Sequence, residues 1–252
     1  MFKREELTVN GVKTVVYSGG QGKPVVLFHG AGTLTGFDFA APWTEKFRVI
    51  APYHPGFGES GDDNDLSGLH DYVMHYLDLF DALELETFSL VGLSLGGCLA
   101  AKFCSEHGHR VEKLALVSPA GIIDPAHPML DLLTAPPEQM MGLLSSDRAV
   151  LKKFVPDKPD LDFMALRYRE SGTVARLLWE HPNDPKFMRH LHRVKNPTLI
   201  VWGTEDKIVP VEHATTWRKL VPQADIRTFA GAGHLVLIER PEASDAIVNF
   251  LH

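Results

Sequence analysis

Short apolar runs alternate with amphipathic stretches along most of this chain, and that alternation is the first clue to its architecture. Leu7-Thr8-Val9 and Val12-Lys13-Thr14-Val15-Val16-Tyr17 flank Asn10-Gly11. That pair tolerates positive φ at both positions and so predicts a type I′ hairpin. Pro24-Val25-Val26-Leu27-Phe28 is a continuous apolar run, the pattern of a strand covered on both faces. Further strands are predicted over 48–51, 87–91, 111–117, 198–202 and 225–229. Helices are predicted between them, over 39–46, 69–83, 98–103, 213–220 and 241–251. In the second of these, Tyr72, Val73, Tyr76, Leu77, Phe80 and Leu83 recur at helical spacing. Pro241 suits a first helical turn.

The rhythm breaks between about residues 122 and 191. No buried-strand pattern occurs there, and Pro125, Pro128, Pro136, Pro137, Pro156, Pro159, Pro182 and Pro185 interrupt a helical composition. A stretch this long is too large for a structureless loop, so it reads as a helical cap inserted into the core. The expected organisation is an α/β core formed by residues 1–121 and 192–252, with a cap over 122–191. Alternating strands and helices imply a mostly parallel sheet covered on both sides. Ligands of such sheets bind outside the carboxyl ends of the strands.

Candidate chemistry gathers at those ends. Gly92-Leu93-Ser94-Leu95-Gly96 joins an apolar strand to a helix rich in small residues, the setting of a nucleophile elbow. The tight turn strains the serine, while Gly92 and Gly96 let strand and helix approach. The positive end of the helix lies beneath the hydroxyl. A serine needs a base. Of 13 histidines, His234 in Gly231-Ala232-Gly233-His234 is the first choice, on a glycine loop after the last strand. His54 is a distant second, and His29 and His54 both read first as structural residues of their turns. The base needs a carboxylate to fix its tautomer. Asp206 in Gly203-Thr204-Glu205-Asp206 is the choice, Asp124 is its rival, and Glu205 reads as a solvated neighbour. His29-Gly30-Ala31-Gly32 after the Pro24–Phe28 run could offer backbone N–H groups to an oxyanion.

Composition narrows the partners. The net charge of −7 disfavours nucleic acid or an anionic membrane surface as partner. No apolar run is long enough to span a bilayer. Met1-Phe2-Lys3-Arg4-Glu5-Glu6 leads into a strand pattern without an apolar core of the signal-peptide kind, so a cytoplasmic location is expected. Cys98 and Cys104, six apart on one helix, face different directions and are expected to be free, with no metal site.

Five motifs in order resemble the α/β-hydrolase superfamily, in its cap-bearing branch of esterases and carbon–carbon bond hydrolases. They are His29-Gly30-Ala31-Gly32, Pro55-Gly56-Phe57-Gly58-Glu59-Ser60, Gly92-Leu93-Ser94-Leu95-Gly96-Gly97, the segment from Trp202 to Pro210, and Gly231-Ala232-Gly233-His234. The order Ser94…Asp206…His234 is that superfamily's order. The resemblance runs from about residue 7 to the C-terminus, weakest in the cap, and implies Ala31 and Leu95 as the oxyanion donors. It implies a serine hydrolase acting on a small-molecule carboxylic ester through an acyl-enzyme, with no metal or organic cofactor. Carbon–carbon hydrolysis of ring-fission-type diketones, or ligand binding without turnover, are the alternatives. Members of the carbon–carbon branch usually continue the oxyanion loop with Pro-Gly and carry an aromatic after the base. Here Thr33-Leu34 and Leu235 stand in those places. Met129, Leu133, Met140, Phe163 and Trp179 are expected to line an apolar pocket under the cap, with His54 a further candidate. Lys152, Lys153, Arg167, Arg169 and Arg176 are the basic residues that could meet a substrate carboxylate.

Overall fold

A computed structural model describes residues 2–135, 142–178 and 185–252. Its centre is an eight-stranded sheet in the order β1-β2-β4-β3-β5-β6-β7-β8. The strands are β1 (Lys3–Val9), β2 (Val12–Gly19), β3 (Pro24–Phe28), β4 (Arg48–Pro52), β5 (Phe88–Leu93), β6 (Val111–Val117), β7 (Thr198–Gly203) and β8 (Asp225–Phe229). The six strands from β4 to β8 in that order run parallel. β2 is antiparallel to β4 and to β1. Asn10 and Gly11 take φ of 50° and 81°, as the expected hairpin turn requires.

Two hydrophobic clusters cover the two faces. One packs α1 (Leu69–Ala82) and α2 (Leu95–His107) against Val26, Phe28, Leu90, Leu114 and Ile200. The other packs Trp43, Ile247 and Leu251 against Val25, Leu27, Val91, Ala115 and Val201. Successive residues of β3 thus belong to opposite clusters, which is why its sequence shows no polar alternation.

The predicted elements recur with small differences. The 39–46 stretch is a 3-10 helix, Asp38–Glu45, with Pro42 inside it. β5 runs on to Leu93, so the turn is confined to Ser94. A one-turn helix, Val236–Glu239, follows His234 and was not predicted, because four residues show no period. Between β6 and β7 the described residues form helices Arg148–Lys152, Leu161–Leu178 and Pro185–His190 and no strand.

Chain order reverses between β3 and β5. From β3 the chain steps to β4 on one side, then returns to place β5 on the other. The crevice at that switch point is where an open parallel sheet binds ligands. The loop after Phe28 and the turn at Ser94 both open into it, since Phe28 pairs with Gly92.

Candidate active site

Ser94 occupies the turn between β5 and α2 with φ 54° and ψ −115°. A non-glycine residue there carries local strain, which persists only where its surroundings hold it. They do. The Ser94 N–H donates to Val117 O at 2.9 Å, and its carbonyl accepts from Gly97, Cys98 and Ala120 N–H. A Cβ on Gly92 would lie 2.3 Å from Gly96 O, and one on Gly96 would lie 2.2 Å from His29 O. Only glycine at both positions lets α2 begin directly under β3 and β5. Leu95, as first residue of α2, has an N–H without an intrahelical acceptor.

Neighbouring strand ends are tied together at this edge. Ser118 N–H donates to Val201 O, and Glu205 N–H donates to Ala232 O, carrying the line from β6 to the loop after β8. Asp206 and His234 meet across it, with Nδ1 of the ring 2.8 Å from Oδ2 of the carboxylate. The carboxylate side chain is fully buried and the ring nearly so. Oδ1 of Asp206 accepts from the N–H groups of Ile208 and Val209, each at 2.9 Å. Burial alone would raise the Asp206 carboxyl. The His234 ring and these two amides outweigh it and hold the group below its ordinary value. Among the described residues the Ser94 hydroxyl makes no hydrogen bond to His234, whose Nε2 is left over by the Asp206 contact. A serine–imidazole contact of this kind often tightens only in the reacting complex.

His54 takes the structural role expected of it and belongs to the core, so it serves neither as a pocket residue nor as the base. It is 1 % exposed and both ring nitrogens are used inside the protein. Its backbone N–H donates to His29 Nε2 at 2.9 Å, which puts the His29 proton on Nδ1, facing Gly30 O at 2.7 Å. His54 Nε2 in turn faces His29 O at 2.8 Å and must donate, so Nδ1 accepts from the Tyr76 hydroxyl. Burial pushes His54 down to about 4 and holds His29 well below the usual imidazole range. These two rings hold the carbonyls of His29 and Gly30. The Gly30 carbonyl shares a rigid peptide plane with the Ala31 N–H. A Cβ on Gly30 would lie 3.3 Å from the Ser94 Cβ, so this plane abuts the hydroxyl-bearing turn.

The other candidates separate clearly. Asp124 is engaged by His127 at 3.0 Å and by Ala126 N–H, away from His234. Glu205 is exposed. Met129 is half-buried against the larger cluster, and its neighbour Leu130 donates to Ile208 O beside Asp206. Phe163 is half-buried, with the Arg167 guanidinium 5.5 Å from its ring centroid. Leu133 is 45 % exposed and adds little to any enclosed surface. Met140 and Trp179 lie outside the described residues. Arg176 pairs with Asp62, and Arg169 donates to Gly58 O. Among the described residues no group of three His, Cys, Asp or Glu could hold a metal ion.

Two carboxylates beside the site were not anticipated. Glu239 accepts from Gly233 N–H at 2.9 Å and from the Ser146 hydroxyl, bracing the loop that bears His234. Glu170 reaches the loop after β3 from the Leu161–Leu178 helix. A sequence signal for Glu170 existed. It shares a buried stripe with Thr173, Val174 and Leu177, where a charged residue is out of place.

Fold, elbow and strand-end loops together define an α/β hydrolase. A profile of the alpha/beta hydrolase family matches residues 25–246, and the chain belongs to that family. It is 28% identical to a 2-hydroxy-6-oxo-2,4-heptadienoate hydrolase of Pseudomonas putida, over 95% of this chain and 92% of that one. It is 29% identical to a 2-hydroxymuconate semialdehyde hydrolase of Pseudomonas putida, over 98% and 93%. Among solved structures, a meta-cleavage product hydrolase of Pseudomonas fluorescens superposes with a TM-score of 0.79 at 25% identity, over 98% of this chain and 96% of that one. A naproxen esterase of Bacillus subtilis superposes with a TM-score of 0.78 over 100% and 92%, and at 23% identity shows the shared fold.

Proposed function

We propose that this protein is a serine hydrolase that cleaves a carboxylic ester of a small-to-medium, largely apolar substrate. One observation carries the reading: a strained serine at the switch point stands on the same sheet edge as an Asp206–His234 pair closed at 2.8 Å. Ser94 attacks the acyl carbonyl while His234 Nε2 takes its proton. Asp206 keeps the Nδ1–H tautomer and stabilises the imidazolium. The N–H groups of Ala31 and Leu95 hold the negative charge of the tetrahedral intermediate, each such donor typically contributing ~2.7–4 kcal/mol to the barrier reduction. The proton passes from His234 to the departing alcohol, and water, activated by the same ring, releases the acyl group. The helices between β6 and β7 form the cap, with Met129 and Phe163 on its apolar underside.

A second reading is hydrolysis of a carbon–carbon bond in a ring-fission-type diketone, which the names of the curated relatives favour. Three features support the ester instead. Thr33-Leu34 and Leu235 depart from that branch, and Arg167, nearest the oxyanion loop of the five basic candidates, is already paired with Glu170 at 2.9 Å. Side-by-side assays on a short-chain aryl ester and a ring-fission dienoate decide between them. Faster turnover of the ester, with Ser94 labelled by a fluorophosphonate, is the expected result; preference for the dienoate would reverse the assignment.

A further inference from the structure

Glu170 is 2 % exposed, yet its carboxylate bridges three segments of the chain. Oε1 accepts from the Thr33 hydroxyl at 2.6 Å and from Gly58 N–H at 3.0 Å. Oε2 accepts from Thr33 N–H at 3.3 Å and from Arg167 Nη2 at 2.9 Å. Arg167 also donates to the Thr33 hydroxyl at 3.0 Å, which closes a ring of contacts. A carboxyl side chain is buried at a large desolvation cost unless its oxygens are fully used, and here both are. Folding the Leu161–Leu178 helix onto the core could have been achieved with apolar residues alone, as Val174 and Leu177 show. A charged group in their midst therefore points to a requirement other than packing.

The requirement is local to Thr33. It lies two residues after Ala31, in a loop whose other side is fixed by His29 and its contact with the Gly30 carbonyl. Between them, Ala31 and Gly32 are half-buried; Gly30 abuts the Ser94 turn, and a Cβ on Gly32 would lie 3.5 Å from Glu170 Oε2. We infer that Glu170 is a positioning residue: by holding Thr33 it sets the direction of the Ala31 N–H, so that a helix inserted between β6 and β7 completes the oxyanion hole of the core. The inference rests on the serine-hydrolase reading and deepens it. The inserted helices are then part of the catalytic apparatus, because the oxyanion loop has its working shape only while the Leu161–Leu178 helix is docked. A glutamine cannot substitute. Its amide would turn an NH2 either toward Thr33 N–H and Arg167 or toward Gly58 N–H, and in each case donor would face donor.

The test compares an ester with its thionoester, whose sulfur is a poor hydrogen-bond acceptor and gains little from an oxyanion hole. Wild type, E170Q, T33V and R176A are assayed on both substrates and melted in parallel. E170Q is expected to lose about 10- to 100-fold in kcat on the ester, up to the size of losing one oxyanion donor. It should lose much less on the thionoester, so the ester-to-thionoester rate ratio falls, with KM little changed. T33V should shift the ratio in the same direction and serves alone if E170Q does not fold. R176A removes the Asp62 contact of the same helix without touching Thr33 and should keep the wild-type ratio. Equal losses on both substrates in E170Q and T33V, whatever their melting temperatures, would show a merely structural role and overturn the inference. A wild type that neither turns over the ester nor reacts with a fluorophosphonate would overturn the serine-hydrolase reading itself, a distinguishable failure.

Discussion

Asp206 and His234 are held by different loops, and nothing local forces them together. What fixes the pair is that Asp206 has its other oxygen committed to the Ile208 and Val209 amides, so its Oδ2 can point in only one direction. Replacing it with asparagine should preserve that scaffold while removing the charge and the correct partner for Nδ1–H. D206N is expected to fold normally by circular dichroism and to lose kcat by about 10⁴-fold, by analogy with the triad template. Ester turnover within tenfold of wild type would move the role to another carboxylate. S94A should abolish both turnover and fluorophosphonate labelling, because no second serine occupies the strained turn.

At the scale of elements, the junction of β3, β5 and α2 leaves no room for a side chain at Gly96. A Cβ there would sit 2.2 Å from His29 O and 2.5 Å from Phe28 O, both backbone atoms that cannot rotate aside. G96A should therefore cost more than about 3 kcal/mol or prevent folding, in the range reserved for severe local disruption. Gly11 provides the contrast. Its φ is 81° but nothing lies within 4 Å of its missing Cβ, so G11A meets only backbone strain. That should cost about 1–2 kcal/mol. Urea unfolding of both variants measures the difference; equal losses would show that close approach is not what requires glycine in the elbow.

For the molecule as a whole, three neutral imidazoles buried near one sheet edge link folding to pH. Burial lowers His54 to about 4 against a rise from its backbone contact with His29. Burial lowers His75 to about 4 against the pull of Asp78 and Asp63. His29 is lowered well below its ordinary value by burial and by His54. Unfolded, each ring takes up a proton near pH 6.5, while folded His54 and His75 refuse it until about pH 4 and His29 is shifted in the same direction. The unfolded state thus binds more protons in that window, so stability is fullest above pH 6.5 and is lost as pH falls toward 4. For His54 and His75 a shift of this size corresponds to roughly 3 kcal/mol each at the low end. Unfolding free energies at pH 7.5 and 5.0 should differ by several kcal/mol. H75Q, which keeps a hydrogen-bonding side chain opposite Thr14, should flatten the slope. A slope identical to wild type would mean that His75 is not among the linked groups.

Element types, the helical stretch between β6 and β7 and the placement of Ser94, Asp206 and His234 at strand ends were legible in the sequence. Apolar runs, glycines around a serine and strand-end loops are local features, and local backbone geometry demands those residue types wherever they occur. The partners that fix His54 and Glu170 were not legible, for the opposite reason. The same imidazole serves a pocket or a core according to whether Tyr76 and the His29 carbonyl, distant in sequence, come within reach of it. The same glutamate is solvated or buried according to whether Thr33 and Gly58, more than a hundred residues away, meet its oxygens. Sequence determined which groups could do chemistry at the sheet edge. Only tertiary structure decided which polar side chains hold that edge in shape, because desolvation and hydrogen-bond pairing are set by neighbours that the linear order does not name.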